Sequence, residues 1–272
     1  MIPAEFRYER VSTVDEALAR LAEHGDDAKV LAGGHSLLPL MKLRLAAPEY
    51  LVDIGPVDEL RYVRLDGDEV VIGALSRYSD LEQDPVLRKH APLLAHVSGE
   101  VGDRQVRHRG TLGGSLVHAD SAADLPAVVL ASDGVLVARG PSGERRIRAS
   151  EFFLGPFTTP LEPDELLTEV RLPRQTGLGW GFEKFTRRAI DWAMVGVAVV
   201  GGKVGLVNMG GVPLRAPATE AALASGASIV DAAALAADGT NPPDEPHATA
   251  EYRRHLARVL TRRALTQAAA RS

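Results

Sequence analysis

Short apolar runs, punctuated by glycine and proline, divide the chain into three stretches of different rhythm. The first alternates strand and helix. A strand is predicted near residues 6–8. Ser12-Thr13-Val14-Asp15-Glu16 then offers a hydroxyl for a helix N-cap and acids for the positive end of its dipole. Ala17, Leu18, Leu21 and Ala22 recur at helical spacing, and Gly25 ends the pattern. Residues 29–32 and 50–54 read as short buried strands. A further element begins at Leu37, and Gly55-Pro56 breaks the run. This alternation predicts a small α/β unit over residues 1–55.

The second stretch, residues 56–174, is richer in hairpins. Residues 60–65 and 69–74 flank Asp66-Gly67, a strong hairpin signal. Residues 134–138 and 145–148 flank a second turn, and residues 166–172 form a further strand. Helices are expected to start at Ser79-Asp80-Leu81-Glu82, at Pro92 and at the apolar run 125–130. The third stretch, residues 175–272, predicts strands over 180–185, 194–200 and 203–209, the last two joined by Gly201-Gly202 as antiparallel neighbours. Alanine-rich residues 216–240 mix helix and loop. The final helix, 252–270, sets Leu256, Val259, Leu260 and Leu265 on one face and arginines on the other, so the pairs 253–254 and 262–263, like 187–188, are expected on solvated faces or partner contacts.

Composition narrows the function. A net charge of -5 over 272 residues, with no basic stripe interleaved with aromatics, argues against nucleic acid. The absence of cysteine excludes disulfides, thiolate metal sites, cysteinyl nucleophiles and an iron–sulfur cluster ligated by this chain. The start, Met1-Ile2-Pro3-Ala4-Glu5, is not a signal peptide, and the apolar window 193–200 is too short to span a bilayer. A cytoplasmic protein is expected. No residue is singled out as a metal ligand or as a catalytic acid or base.

Two stretches of small residues carry the candidate chemistry. One is Ala32-Gly33-Gly34-His35-Ser36-Leu37. The other runs from Thr111-Leu112-Gly113-Gly114-Ser115 through His118, Ala119, Asp120 and Asp124 to Pro126. Glycine turns at strand ends present several backbone amides to an anion, phosphate above all. Two such turns in adjacent units suit a ligand with two phosphates. Asp120 and Asp124 follow at helix-like spacing. The familiar alternatives fail: no Gly-x-Gly-x-x-Gly follows a strand, and Gly202-Lys203 lacks the rest of a Walker loop. Each turn taken alone also fits a plain connection, His35 and His118 fit locally bonded turn residues, Lys184 a solvated strand lysine, and Trp192 a core tryptophan.

These turns, with Ala122-Ala123-Asp124-Leu125-Pro126, Lys184-Phe185-Thr186-Arg187-Arg188-Ala189-Ile190-Asp191-Trp192-Ala193, Pro213-Leu214-Arg215-Ala216 and the arginine-rich last helix, resemble the FAD-binding medium subunit of molybdenum hydroxylases, the group of carbon monoxide dehydrogenase and xanthine dehydrogenase. The resemblance covers nearly the whole chain in order; Ser121 stands where the family usually has proline. It implies an α+β fold, a two-subdomain FAD-binding domain of the PCMH or vanillyl-alcohol-oxidase-like type followed by a C-terminal antiparallel sheet with helices. It implies FAD, its pyrophosphate held by Ala32, Gly33, Gly34, His35, Ser36 and Leu37 and by Thr111, Gly113, Gly114 and Ser115, with Ala119 and Asp120 nearby. Asp124 would bond the ribose or adenylate portion, Lys184 would lie by the flavin, and Asp191-Trp192 would bring an aromatic against the ring. The implied partners are a large molybdenum–pterin subunit and a small iron–sulfur subunit, as a dimer of heterotrimers. Electrons would pass from the partner clusters through FAD to an external acceptor. A stand-alone flavin enzyme of related fold, such as a UDP-sugar reductase or alcohol oxidase, and a non-catalytic nucleotide-binding module remain the alternatives.

Overall fold

Three sheets, one for each rhythm in the sequence, make up the computed structural model, which describes residues 2–271. In the first, β1 (Arg7–Arg10), β2 (Ala28–Leu31) and β3 (Tyr50–Asp53) lie parallel in the order β1-β3-β2. The helix Val14–His24 links β1 to β2. Thr13 caps it by accepting from the Glu16 amide at 3.1 Å, and Gly25 closes it with a positive φ of 52°. Val14, Ala17 and Leu21 bury the apolar face against Val52 and Ile54.

The second sheet is antiparallel. It holds β4 (Val63–Asp66), β5 (Glu69–Gly73), β6 (Val135–Gly140), β7 (Gly143–Arg148) and β8 (Leu166–Pro173) in the order β4-β5-β8-β6-β7. Both hairpins fall where the turn residues place them. The helix expected from Ser79 begins one residue earlier, at Tyr78, and ends at Gln83. Arg77 is its N-cap, and Ser79 does not cap it but donates to the Asp80 carboxylate at 3.2 Å. The buried Tyr78 ring sets that start, because it packs beneath Gly110, where even a Cβ would approach it to 2.4 Å.

In the third sheet β9 (Trp180–Phe185), β10 (Val195–Val200), β11 (Lys203–Val207) and β12 (Leu214–Arg215) run antiparallel in the order β12-β11-β10-β9. Every residue of β10 is buried. Val195, Val197 and Val199 join the cluster that holds Leu256, Leu260 and Ala264 of the last helix, Ala250–Ala270. Ala198 and Val200 join the core of the second sheet instead. Burial on both faces explains a continuous apolar run where a half-exposed strand would alternate. The helix Asp124–Ala131 is buried along its whole length and lies between the second and third sheets. It approaches β11 at Gly205, where a Cβ would fall 2.2 Å from the Ala127 carbonyl oxygen. Only glycine permits that contact.

One arginine departs from the amphipathic reading of the last helix. Arg253 is 1% exposed, not solvated. It sits three residues before Leu256 and seven before Leu260, on the apolar stripe itself.

Candidate functional site

A cleft of about 550 Å³ opens where the three sheets meet. Of the residues expected around a dinucleotide, Ala32, Gly33, Gly34, His35, Ser36, Leu37, Thr111, Gly113, Gly114, Ser115, Asp124, Lys184, Asp191 and Trp192 all line it. Ala119 and Asp120 do not. They border a separate cavity of about 320 Å³ with Ser121, Pro156 and Gly210. Ala119 ends the helix Leu112–His118 in the left-handed conformation. Asp120 turns its carboxylate back onto the Ala122 amide at 2.9 Å. The two acids therefore do not share a helix: Asp120 lies in this turn and Asp124 opens the next helix.

The two glycine turns touch each other. A Cβ on Gly33 would lie 2.2 Å from the Arg109 carbonyl oxygen, and one on Gly113 would lie 2.8 Å from the Ala74 carbonyl oxygen. Smallness in these stretches therefore serves backbone-to-backbone packing, between units at Gly33 and within the second unit at Gly113. The turns differ in their amides. Leu112 donates to the Ser76 carbonyl at 3.0 Å and Gly113 to the Ala74 carbonyl at 2.8 Å. Gly114 donates to Thr111 Oγ1 at 3.2 Å and Ser115 to the Thr111 carbonyl at 3.1 Å. The amides of Gly33, Gly34, His35 and Ser36 have no partner among the described residues. They precede the helix Leu37–Lys42, whose N-cap Ser36 leaves its hydroxyl free of any capping bond. The expectation of two equivalent amide cradles at strand ends is corrected here. The first turn follows β2, whereas the second follows the short helix Arg104–Arg107, with Thr111 making a single bridge to Arg77.

A buried ion pair also lines the cleft. Lys184 on β9 donates to Asp124 Oδ2 at 2.6 Å, with the side chains 11% and 5% exposed. Lys184 also reaches the Glu100 carbonyl at 3.4 Å. Burial raises the Asp124 carboxyl above the usual carboxylate range, and the Lys184 ammonium opposes that rise. Asp124 Oδ1 is buried with no hydrogen-bond partner. Lys184 is thus not a solvated strand lysine. Trp192 is 60% exposed at the cleft mouth beside Ile190, also 60% exposed, so it is no core tryptophan.

Two further lining residues, Tyr78 and Phe157, carried no clear signal in the sequence, and His118 joins them. Tyr78 is buried, and its phenol is pushed up to about 12 by burial, with the Ser115 hydroxyl opposing. The His118 ring lies 5.0 Å from that of Phe157, and burial lowers its pKa while Asp120 opposes. Phe157 has a positive φ of 57°, rare for a bulky residue. It gave only the signal of an aromatic beside a proline.

The arrangement fits a bound dinucleotide on two counts. Four amides without a protein partner belong to residues that line the cleft, and so do the members of the buried Asp124–Lys184 ion pair. Fold and site together define an FAD-binding flavoprotein. The sequence model for the FAD binding domain in molybdopterin dehydrogenase matches residues 4–175, and that for the CO dehydrogenase flavoprotein C-terminal domain matches residues 180–268. The carbon monoxide dehydrogenase medium chain of Hydrogenophaga pseudoflava is 41% identical over 285 aligned positions, covering 100% of this chain and 99% of that one. The glyceraldehyde dehydrogenase medium chain of Sulfolobus acidocaldarius is 36% identical, covering 99% and 100%. A solved structure of the Hydrogenophaga pseudoflava carbon monoxide dehydrogenase lacking the Mo-pyranopterin moiety of its molybdenum cofactor superposes with a TM-score of 0.96 at 42% identity, over 100% of this chain and 99% of that chain. The chain belongs to the FAD-binding medium subunits of molybdenum hydroxylases. It is one subunit of a multi-subunit oxidoreductase. No helix among the described residues is long and apolar enough to cross a membrane.

Proposed function

We propose that the cleft holds FAD with its pyrophosphate against the Gly33–Ser36 amides and its isoalloxazine ring toward Lys184 and Trp192. The observation that carries this reading is that one cleft gathers the unpartnered amides of Gly33–Ser36 and the buried Asp124–Lys184 pair. Bound FAD supplies oxidation–reduction between the other redox centres of the complex and an external acceptor. The chain's own residues bind, orient and tune. The Ser36 hydroxyl adds a donor beside the amides. The Lys184 ammonium, held by Asp124, would stabilise negative charge on a reduced flavin bound beside it, an attraction strengthened where water is excluded. Asp124 acts on the ligand through the lysine it holds in place. Trp192 covers one ring face at the mouth, where offset aromatic stacking is favourable.

The partners on this reading are a large molybdenum–pterin subunit and a small iron–sulfur subunit, assembled as a dimer of heterotrimers in the cytoplasm. With no cysteine here, the clusters belong to another chain. The medium-chain relatives come from dehydrogenases named for carbon monoxide and for glyceraldehyde, so substrate choice is assigned to the large subunit. The working division is residues 1–55 and 56–174 for FAD and 175–272 for the C-terminal unit.

Asp124→Asn in the purified complex tests the reading. It removes the counterion of a buried lysine at the ring end. The flavin content, read from visible absorbance against protein, is expected to fall roughly tenfold. A wild-type complex without FAD, or a variant with full FAD and an unchanged flavin spectrum, overturns it.

A further inference from the structure

Residues 186–193, between β9 and β10, carry Ile190, Asp191 and Trp192 to the cleft mouth. Ile190 and Trp192 are too exposed for packing to set their positions. Within the loop the Asp191 amide donates to the Arg188 carbonyl at 3.0 Å and Arg187 Nη1 lies 3.1 Å from His247 Nε2, and the loop is also held at its base. The Met194 amide donates to the Phe185 carbonyl at 2.8 Å and closes the neck. The buried Arg253 donates through Nη1 to the Met194 carbonyl at 2.6 Å, through Nε to the Ala248 carbonyl at 3.4 Å, and through Nη2 to the Glu245 carboxylate. One guanidinium thus ties the last helix, the 245–248 turn and the loop neck together. A buried guanidinium is tolerated because each of its nitrogens is bonded.

A second residue grips the same base from the other side. Asn208 donates through Nδ2 to the Ala193 carbonyl at 2.8 Å. Its backbone is left-handed, with φ 59°, a conformation asparagine tolerates better than most side chains. That geometry sends its amide to the Ser121 carbonyl at 2.7 Å. Asn208 therefore joins the segment leading to Asp124 to the loop bearing Trp192, and both segments line the cleft.

We infer that Arg253 and Asn208 are positioning residues that lock the 186–193 loop and so set where Trp192 meets the flavin; the second half of this statement rests on the cofactor reading above. Neither residue lines the cleft. Their effect reaches the ring only through the loop.

The test uses the assembled complex with Asn208→Gly, which keeps the left-handed backbone and loses only the side-chain donor, and with Arg253→Lys, whose single ammonium cannot serve the same spread of acceptors. Trypsin cutting after Arg187 and Arg188 reports loop opening directly, whether or not cofactor is bound. Cleavage there is expected to rise roughly tenfold in both variants. FAD stays stoichiometric while the visible circular dichroism of the flavin changes. In a Trp192→Ala background, Asn208→Gly adds no further change to that spectrum, because both act through one loop. Unchanged cleavage and an unchanged flavin spectrum, with only a lower melting point, reduce both residues to structural roles and overturn the inference. A spectral change by Asn208→Gly that persists undiminished without Trp192 also overturns it. A wild-type complex lacking FAD refutes the cofactor reading and the second half of the inference, and the cleavage assay still decides the loop lock.

Discussion

The two glycine turns look alike in sequence and do different work. Around Gly113 the amides are bonded inside the chain, to Ser76, Ala74 and Thr111. Around Gly33 the amides point to no protein partner. Glycine in the second turn lets a helix sit against the chain just beyond the end of β5. Glycine in the first turn both permits contact with Arg109 and leaves donors for an anion. A run of small residues therefore marks close approach, and the hydrogen-bond inventory shows what is approached.

Gly33→Ala should have the largest effect, because its Cβ collides with a backbone oxygen that cannot swing aside. It is expected to destabilise the chain by roughly 1–3 kcal/mol and to strip most FAD from the complex, read by thermal melting and flavin absorbance. Retention of full FAD would remove the first turn from the phosphate site. Thr111→Val sharpens the contrast from the other side. It deletes the capping acceptor of the helix Leu112–His118 and should cost about 1 kcal/mol of stability while FAD content stays at the wild-type level. If Thr111→Val instead sheds FAD without lowering the melting point, the second turn is a ligand site and the contrast collapses.

Ser36→Ala should reverse that pattern. Its hydroxyl caps nothing, so the cofactor-free melting point should hold, while FAD affinity measured by fluorescence titration drops roughly three- to tenfold. The smallest effect concerns His118, the last residue of the second-turn helix. Burial depresses its pKa in the folded state, so its contribution to stability is present above about pH 6.5 and is lost as the pH falls through the folded value. His118→Gln should flatten the decline in melting temperature below that pH; an identical decline in both proteins would show the ring to be insensitive to its burial.

The strands and helices were largely legible because their signals are local. Turn residues, caps and apolar periods lie within a few positions of what they specify. Each glycine turn was likewise legible by itself, and their similarity pointed to the cleft. What stayed hidden depends on distant partners. Asp124 and Lys184 are 60 positions apart, and nothing in either neighbourhood names the other. Arg253 was readable in principle, since its helical spacing puts it among Leu256 and Leu260, but its half-buried neighbour Arg254 and the exposed arginines further along the helix masked the pattern. Asp120 was misplaced because the left-handed Ala119 turns the chain before a helix can carry both acids.

The buried helix Asp124–Ala131 is wedged between sheets through Gly205 and begins with a residue of the cleft. The boundary between the family's two halves is therefore a seam in the amino-acid order and not in the object. A chimera that grafts a relative's C-terminal half after residue 175 would meet this helix with foreign side chains on β10 and β11. Its cofactor pocket would inherit the mismatch at Asp124. Recombination among such subunits should accordingly keep the helix and its receiving strands as one inherited block, even though some 60 positions separate them along the chain.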